Sequence, residues 1–146
     1  MAYYAESFVD EVRMSLPRGA HAATSNAAVN FVSRDDVAAA AAGILLGKGH
    51  HGAIYQATGP ASFSGEARAA LVAKVTGKPF AFVAVPEAQY REGLAAAGLP
   101  PFVVDALVSI QDMWSVGGFD VTSGDVQRLA GRAPRSLEDV VRGAKL

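Results

Sequence analysis

The chain of 146 residues contains no cysteine. Disulfide bonds, thiolate nucleophiles and thiolate metal sites are therefore excluded. It also has no uninterrupted apolar run of about 18 residues, which is the length that a membrane-spanning helix needs. The N-terminal residues carry Glu6 where a signal peptide would carry basic side chains, and no long apolar run follows. We therefore expect a soluble, cytoplasmic protein.

An excess of charge of either sign is also missing. The chain has 13 basic and 14 acidic residues and a net charge of −1. This balance gives no broad electrostatic attraction for nucleic acid or anionic lipid, so we expect neither as a partner. Hydrophobic residues make up 51% of the chain, which is enough for a buried core. Length and composition together predict a single domain spanning residues 1–146.

Phosphate-binding motifs are absent as well. The 15 glycines form no G-x-G-x-x-G turn, and there is no Walker-type lysine motif. Dinucleotide binding in α/β proteins uses such a glycine-rich turn after a strand, because the backbone must approach the pyrophosphate closely. We therefore expect this chain alone to bind no dinucleotide cofactor.

What is present is an alternation of strand and helix patterns, which predicts an α/β fold. The predicted strands are a short hairpin over residues 20–32 with its turn at Ser25-Asn26, and two apolar strands over 53–57 and 80–85 that read as buried on both faces. The predicted helices cover residues 5–16, 37–46, 66–75, 87–97 and 102–115, followed by two short ones that begin near Ser123 and Ser136. In the helix over 102–115, the apolar stripe is formed by Val103, Leu107, Ile110 and Trp114.

The residue types that carry chemistry have ordinary structural explanations. His50 and His51 could form a metal pair, but adjacent residues in a turn rarely converge on one ion, so a polar turn is favoured. His21 could act as an acid or base only if the fold brings it to a cleft. Asp35 and Asp36 could be catalytic carboxylates, yet their place after Ser33 favours a helix start, with Asp36 near the position of a capping-box acid.

Four segments, in order along the chain, point to a known family. They are Tyr4-Ala5-Glu6-Ser7-Phe8, Phe31-Val32-Ser33-Arg34-Asp35-Asp36-Val37-Ala38, Tyr55-Gln56-Ala57-Thr58-Gly59-Pro60 and Leu129-Ala130-Gly131-Arg132-Ala133-Pro134-Arg135-Ser136-Leu137-Glu138. Together they resemble the C-terminal portion of the NmrA-like atypical short-chain dehydrogenases, especially the NAD(P)H-dependent quinone oxidoreductases. The resemblance covers essentially the whole chain. It departs at Ser7, where the family's Tyr-x-Glu-Asn motif has asparagine.

The resemblance implies an α/β C-terminal half of a Rossmann-type protein, without the N-terminal dinucleotide-binding half. In the family, the tyrosine–glutamate loop lies near the nicotinamide and the substrate, and the segment that maps to Phe102–Phe119 forms the substrate-side helix and loop. The substrate-binding residues implied in this way are Tyr3, Tyr4, Glu6, Phe102, Met113, Trp114 and Phe119. No catalytic residue, cofactor-binding residue or metal ligand is implied. NAD(P)H is the family's cofactor, and its hydride would pass directly to an aromatic or quinone acceptor.

Three functions remain open at this point. The chain could be the substrate-binding portion of such an oxidoreductase, inactive without a dinucleotide-binding half. It could instead be a non-catalytic regulatory module that binds a small aromatic ligand, or a truncated gene product. Because apolar strands without their usual neighbours would expose unpaired edges, we also expect the chain to form a homo-oligomer.

Overall fold

The computed structural model describes residues 1–146, in which short strands and helices alternate. The strands are β1 (Tyr3–Tyr4), β2 (Ala20–Ala23), β3 (Val29–Val32), β4 (Ser62–Phe63) and β5 (Ala81–Ala84). The helices are α1 (Ala5–Ser15), α2 (Arg34–Leu46), α3 (Gly65–Thr76), α4 (Glu87–Ala96), α5 (Pro101–Ser115), α6 (Asp125–Ala130) and α7 (Leu137–Gly143). This order confirms the predicted α/β class. None of the helices is both long and apolar enough to cross a membrane.

The strands form two small sheets. In one, β3 pairs in parallel with β1 and antiparallel with β4, and in the other β2 pairs in parallel with β5. The predicted hairpin over residues 20–32 is therefore wrong, because β2 and β3 belong to different sheets. The predicted turn has another role, since the Asn26 side chain accepts a hydrogen bond from the N–H of Glu66 at 3.0 Å and so holds the start of α3.

The core is centred on β3, all four of whose residues are buried. It has a strand neighbour on each edge, and α1 packs beside it through Phe8 and Val12, which are 1% and 0% exposed. α3 and α7 complete this core with Val72 and Val141, both 0% exposed. The sheet and these three helices thus hold the carboxyl ends of β1 and β3 side by side.

Two segments that were predicted to be buried strands are not buried. Residues 53–57 form no strand, and Ile54 is 92% exposed. β5 does form, but three of its four residues are exposed. A parallel strand is buried only when it has neighbouring strands and a layer of structure on each face. β5 has one strand neighbour and residues 53–57 have none, which explains their exposure despite their apolar sequence.

The helix starts follow the sequence closely. Ser33 and Ser64 cap α2 and α3. Each hydroxyl oxygen accepts a hydrogen bond at 3.1 Å from the main-chain N–H three residues later, which belongs to Asp36 or Ala67. Ser136 and Asp139 form a reciprocal capping box at the start of α7. Gly77 ends α3 with a φ of 67°, a left-handed conformation that side chains disfavour.

The buried stripe of α5 differs from the prediction by one position. Its buried residues are Val104, Val108, Gln111 and Trp114. Gln111 is 3% exposed where the prediction placed Ile110, and its side-chain oxygen accepts a hydrogen bond from the N–H of Thr24 at 3.3 Å. A polar residue with a buried partner is invisible to a count of apolar spacing.

Candidate functional site

The parallel strands β1 and β3 end side by side at one edge of the sheet. Tyr4 and Val32 are paired in register at this edge. Each strand leads almost directly into a helix, β1 into α1 and β3 into α2. Ligands in open α/β sheets bind outside the carboxyl ends of parallel strands. We therefore take this edge as the candidate site.

Tyr4, Glu6 and Arg34 form a connected group at the edge. The Glu6 carboxylate accepts the N–H of Arg34 at 3.1 and 3.2 Å, so it satisfies the first free amide of α2 and joins the two helix starts. The Arg34 guanidinium carbon lies 5.2 Å from the centre of the Tyr4 ring. Tyr4 itself is 43% exposed. The group therefore presents an aromatic ring that is supported on one side by a cation.

A cleft of about 420 Å³ opens beside this group. It is lined by Met1, Ala2 and Tyr4 on one side, by Val32 and Val37 behind, and by residues 55–58 on the other side. Tyr55 contributes a second ring, with the Arg128 guanidinium carbon 5.2 Å from its centre and its hydroxyl 2.7 Å from His50 Nδ1. The cleft is thus largely apolar and bounded by two tyrosines that each contact an arginine.

Asn30 holds the far wall of the cleft in place. Asn30 is 0% exposed although it is polar, and both ends of its side-chain amide are hydrogen-bonded. Its side chain accepts the N–H of Gly59 at 2.7 Å and donates to the Gly59 carbonyl at 3.2 Å and to Thr122 Oγ1 at 3.3 Å. Gly59 cannot be replaced by a larger residue here, since a Cβ would lie 1.8 Å from the Phe31 carbonyl oxygen. Residues 55–59 are therefore fixed against β3 at their C-terminal end only.

Asp36 is structural, as the sequence favoured, but not as a capping-box acid. Its carboxylate is 0% exposed, accepts the N–H of Arg135 at 2.7 Å and forms an ion pair with Arg132. It thereby anchors the segment before α7 to the start of α2. Asp35 has a 77% exposed side chain and contacts Arg135 only at 3.5 Å.

Tyr3, Trp114 and Phe119 lie together behind the candidate edge, in the core. The Tyr3 ring contacts the rings of Trp114 and Phe119 edge-on, with centroid distances of 5.3 and 6.4 Å. The Tyr3 hydroxyl donates to Glu11 Oε1 at 2.8 Å. Burial, and then the negative charge of Glu11, raise the pKa of Tyr3 well above its ordinary value. Tyr3 thus packs behind the candidate edge, and its hydroxyl is already hydrogen-bonded to Glu11.

His21 and Arg68 are also part of this interior. His21 is 7% exposed and its Nε2 lies 3.2 Å from Glu11 Oε2, so the fold places it in the core and not in the cleft. Arg68 is 1% exposed, donates to the Phe63 carbonyl at 3.1 Å and lies with its guanidinium carbon 5.1 Å from the Trp114 ring centre. Burial lowers the pKa of Arg68 to about 10, which still leaves it charged at neutral pH.

The remaining predicted residues lie on α5, away from the cleft. Phe102 is 74% exposed and Met113 is 45% exposed, and neither lines the cleft. Of the seven predicted residues, the structure therefore brings Tyr4 and Glu6 to the edge and places three behind it and two elsewhere. Sequence reasoning missed Asn30, Arg34 and Tyr55 as site residues, although the first is the single polar residue of strand β3.

Helices α1, α2 and α4 follow the parallel strands β1, β3 and β5, so their starts are where a pyrophosphate of NAD(P)H would bind. No glycine separates β1 from α1, and at α2 the N–H groups of Arg34 and Asp36 already bond to Glu6 and Ser33. Between β5 and α4 stands Pro86, which has no N–H to offer. The residues present therefore do not fit a dinucleotide pyrophosphate. Nor does any group of three or more His, Asp or Glu side chains converge as metal ligands.

The chain is similar in sequence to parts of known proteins. Quinone oxidoreductase 2 of Escherichia coli is 27% identical over 140 residues, which are 95% of this chain and 49% of that protein. The NAD(P)H azoreductase of Xenophilus azovorans is 25% identical over 142 residues, 95% of this chain and 46% of that protein. The chain spans about half the length of the curated relatives it matches. No protein-family model matches the chain.

Solved structures give the same result. The NADPH complex of the Escherichia coli NADPH-dependent quinone oxidoreductase matches 99% of this chain and 52% of its own, with a TM-score of 0.93 and 26% identity. Triphenylmethane reductase of a Citrobacter species matches 99% of this chain and 51% of its own, with a TM-score of 0.90 and 30% identity. Both the sequence and the fold therefore correspond to half of each relative, as a C-terminal portion would. The chain is similar over nearly its whole length to half of each of these proteins, which is consistent with the C-terminal portion of the NmrA-like family of atypical short-chain dehydrogenases.

Proposed function

We propose that residues 1–146 form the acceptor-binding side of an NmrA-like NAD(P)H-dependent oxidoreductase, and that they transfer no hydride without a dinucleotide-binding half. The acceptor is a planar aromatic compound of the quinone kind. The observation that carries this proposal is the exposed Tyr4 ring at the carboxyl ends of two parallel strands, with Arg34 against its ring and an apolar cleft beside it.

The residues of this chain bind and orient the acceptor. Tyr4 offers a flat apolar surface on which an aromatic ring can stack, and an exposed hydroxyl that can donate to an acceptor oxygen. Glu6 keeps Arg34 and the start of α2 in position beside that ring. Tyr3, Trp114 and Phe119 stiffen the wall from behind, because they interlock edge-on. The cofactor supplies hydride when bound, and nothing in these residues replaces it.

Binding of a soluble quinone tests the location of this site. Anthraquinone-2-sulfonate at about a hundred times its Kd should stabilise the chain by about 2.7 kcal/mol, and so raise its Tm by several degrees. Tyr4→Ala should abolish that rise, whereas Phe102→Ala, which removes a still more exposed ring on α5, should retain it. No rise in the unmodified chain, or a rise that depends on Phe102 and not on Tyr4, would contradict the proposal.

A second measurement separates an enzyme portion from a module that only binds. Both would bind the quinone. Only the enzyme portion should restore reduction of the quinone by NADPH when it is co-expressed with the dinucleotide-binding half of the Escherichia coli relative. Quinone binding without any turnover in that mixture would favour the non-catalytic alternative.

A further inference from the structure

We propose that the aromatic acceptor of this site carries a negatively charged group, such as a sulfonate, carboxylate or phosphate, and that Arg34 recognises this group beside the Tyr4 ring. The inference rests on the proposed function for the place where the acceptor binds. It adds the charge of the acceptor, which the Tyr4 ring and the apolar cleft do not determine.

The main chain of Arg34 is fixed, but the charge of its side chain is not compensated. The Arg34 N–H donates to the Glu6 carboxylate, and the guanidinium carbon lies 5.2 Å from the centre of the Tyr4 ring. The guanidinium donates one hydrogen bond, from Nη2 to Ser7 Oγ at 3.3 Å. It takes part in none of the ion pairs of the chain. Arg34 therefore presents a full positive charge next to an exposed aromatic ring.

The acidic side chains near Arg34 are engaged with other groups. Both oxygens of Glu6 accept the main-chain N–H of Arg34, at 3.1 and 3.2 Å, and neither pairs with the guanidinium. Asp35, the next residue along α2, contacts Arg135 at 3.5 Å. The negative charge that would pair with Arg34 must therefore come from a bound molecule.

The second arginine at the cleft differs in this respect. Arg128 lies against the Tyr55 ring much as Arg34 lies against Tyr4, since both guanidinium carbons are 5.2 Å from the ring centre. Arg128, however, forms an ion pair with Asp125. The two sides of the cleft thus have similar aromatic surfaces, and the uncompensated charge lies on the Tyr4 side.

The chemistry of a guanidinium group explains the choice of ligand. It is planar and offers five N–H donors in a fixed fork, which matches two oxygens of a sulfonate, carboxylate or phosphate. The Nε and Nη1 groups of Arg34 make no hydrogen bond within the chain, so they are available for such a paired contact. The cleft is lined mainly by apolar residues and takes the ring system, while the guanidinium next to Tyr4 takes the charged substituent.

Two ligands with the same ring system test the inference. Anthraquinone-2-sulfonate is anionic and 2-(hydroxymethyl)anthraquinone is neutral, and the Kd of each is measured by fluorescence titration of the chain. The anionic ligand should bind about tenfold more tightly, because a charge-assisted pair of hydrogen bonds contributes on this scale. The two Kd values should converge when the salt concentration is raised to about 0.5 M, because salt screens exposed charges.

Substitutions of arginine identify the residue responsible. Arg34→Gln removes the charge and keeps the main-chain N–H, so the difference in affinity between the two ligands should disappear. Arg34→Lys restores the charge without the fork and should recover part of that difference. Arg18→Gln is the control, because Arg18 is also exposed and outside every ion pair but has no aromatic ring beside it, and both Kd values should stay unchanged.

The inference is overturned if the two ligands bind the unmodified chain equally well, if their difference in affinity survives Arg34→Gln, or if Arg18→Gln also removes it. Each of these results leaves the proposed function standing, because an aromatic ligand is still bound. Failure of both ligands to bind would instead contradict the proposed function, and this inference with it.

Discussion

Strand β3 and the segment 53–57 both have mainly apolar sequences, but only β3 is buried. β3 lies between β1 and β4 and is buried along its whole length, whereas residues 53–57 have no strand neighbour and remain largely exposed. Burial of an apolar strand is thus a property of its neighbours as much as of its own residues. The comparison teaches that residues 53–57 have the composition of a sheet interior but only one satisfied edge.

The largest expected effect separates the two segments directly. Phe31→Ala in β3 should lower the free energy of unfolding by about 4 kcal/mol, because it leaves a cavity in the core. Ile54→Ala should change it by less than about 0.5 kcal/mol, because that side chain is already in water. Urea denaturation measures both. A loss at Ile54 comparable to that at Phe31 would break the comparison.

Asp36 extends the comparison to buried polar groups. Asp36→Ala should cost about 3 kcal/mol, since Arg132 and the N–H of Arg135 lose a fully buried partner. The neighbouring Asp35→Ala should cost less than about 0.5 kcal/mol, because the Asp35 side chain is exposed. Chemical denaturation of the two variants side by side decides the point, and equal losses would contradict it.

Asn30 joins the two compared segments, so its removal should sharpen the difference. Asn30→Ala should lower the free energy of unfolding by about 2.5 kcal/mol, because both main-chain groups of Gly59 lose buried partners. It should also speed amide exchange at Gly59. Gln56→Ala, in which the main-chain bonds of that residue persist, serves as the control and should be close to neutral. Unchanged exchange at Gly59 in Asn30→Ala would show that the link is not maintained in solution.

The smallest effect concerns Tyr3, behind the edge. Tyr3→Phe should cost about 1.5 kcal/mol at neutral pH through the lost hydrogen bond to Glu11. The folded-state pKa of Tyr3 is raised, so its contribution is fully present below pH 10.0, the ordinary value, and is lost as the pH rises beyond it. Burial also raises the pKa of Tyr90 to about 12, which adds a loss of the same sign.

The unfolding free energy should therefore fall above about pH 10, and less steeply in Tyr3→Phe. Denaturation curves recorded across this alkaline range would check both statements. An identical alkaline decline in the two proteins would contradict the assigned environment of Tyr3.

Local features of the fold were predictable from the sequence, and long-range ones were not. The helix starts at Ser33 and Ser136 depend on residues within one helical turn, so their positions were predicted correctly. The pairing of β2 with β5 joins residues about sixty positions apart, and nothing local distinguished it from a hairpin.

The candidate site was predictable only in part for the same reason. The family resemblance brought Tyr4 and Glu6 to notice, and the structure places both at the edge. It could not place Phe102 and Met113, because which face of α5 is buried depends on long-range contacts such as the one between Gln111 and Thr24. The role of Asn30 depends on Gly59 and Thr122, which the fold alone brings together.

We propose that these residues bind an aromatic acceptor and that the dinucleotide is bound by another half. Isothermal titration calorimetry of the purified chain with NADPH tests it most directly. We expect no measurable binding heat for NADPH, together with a binding isotherm for anthraquinone-2-sulfonate. Tight, stoichiometric binding of NADPH to the chain alone would contradict it.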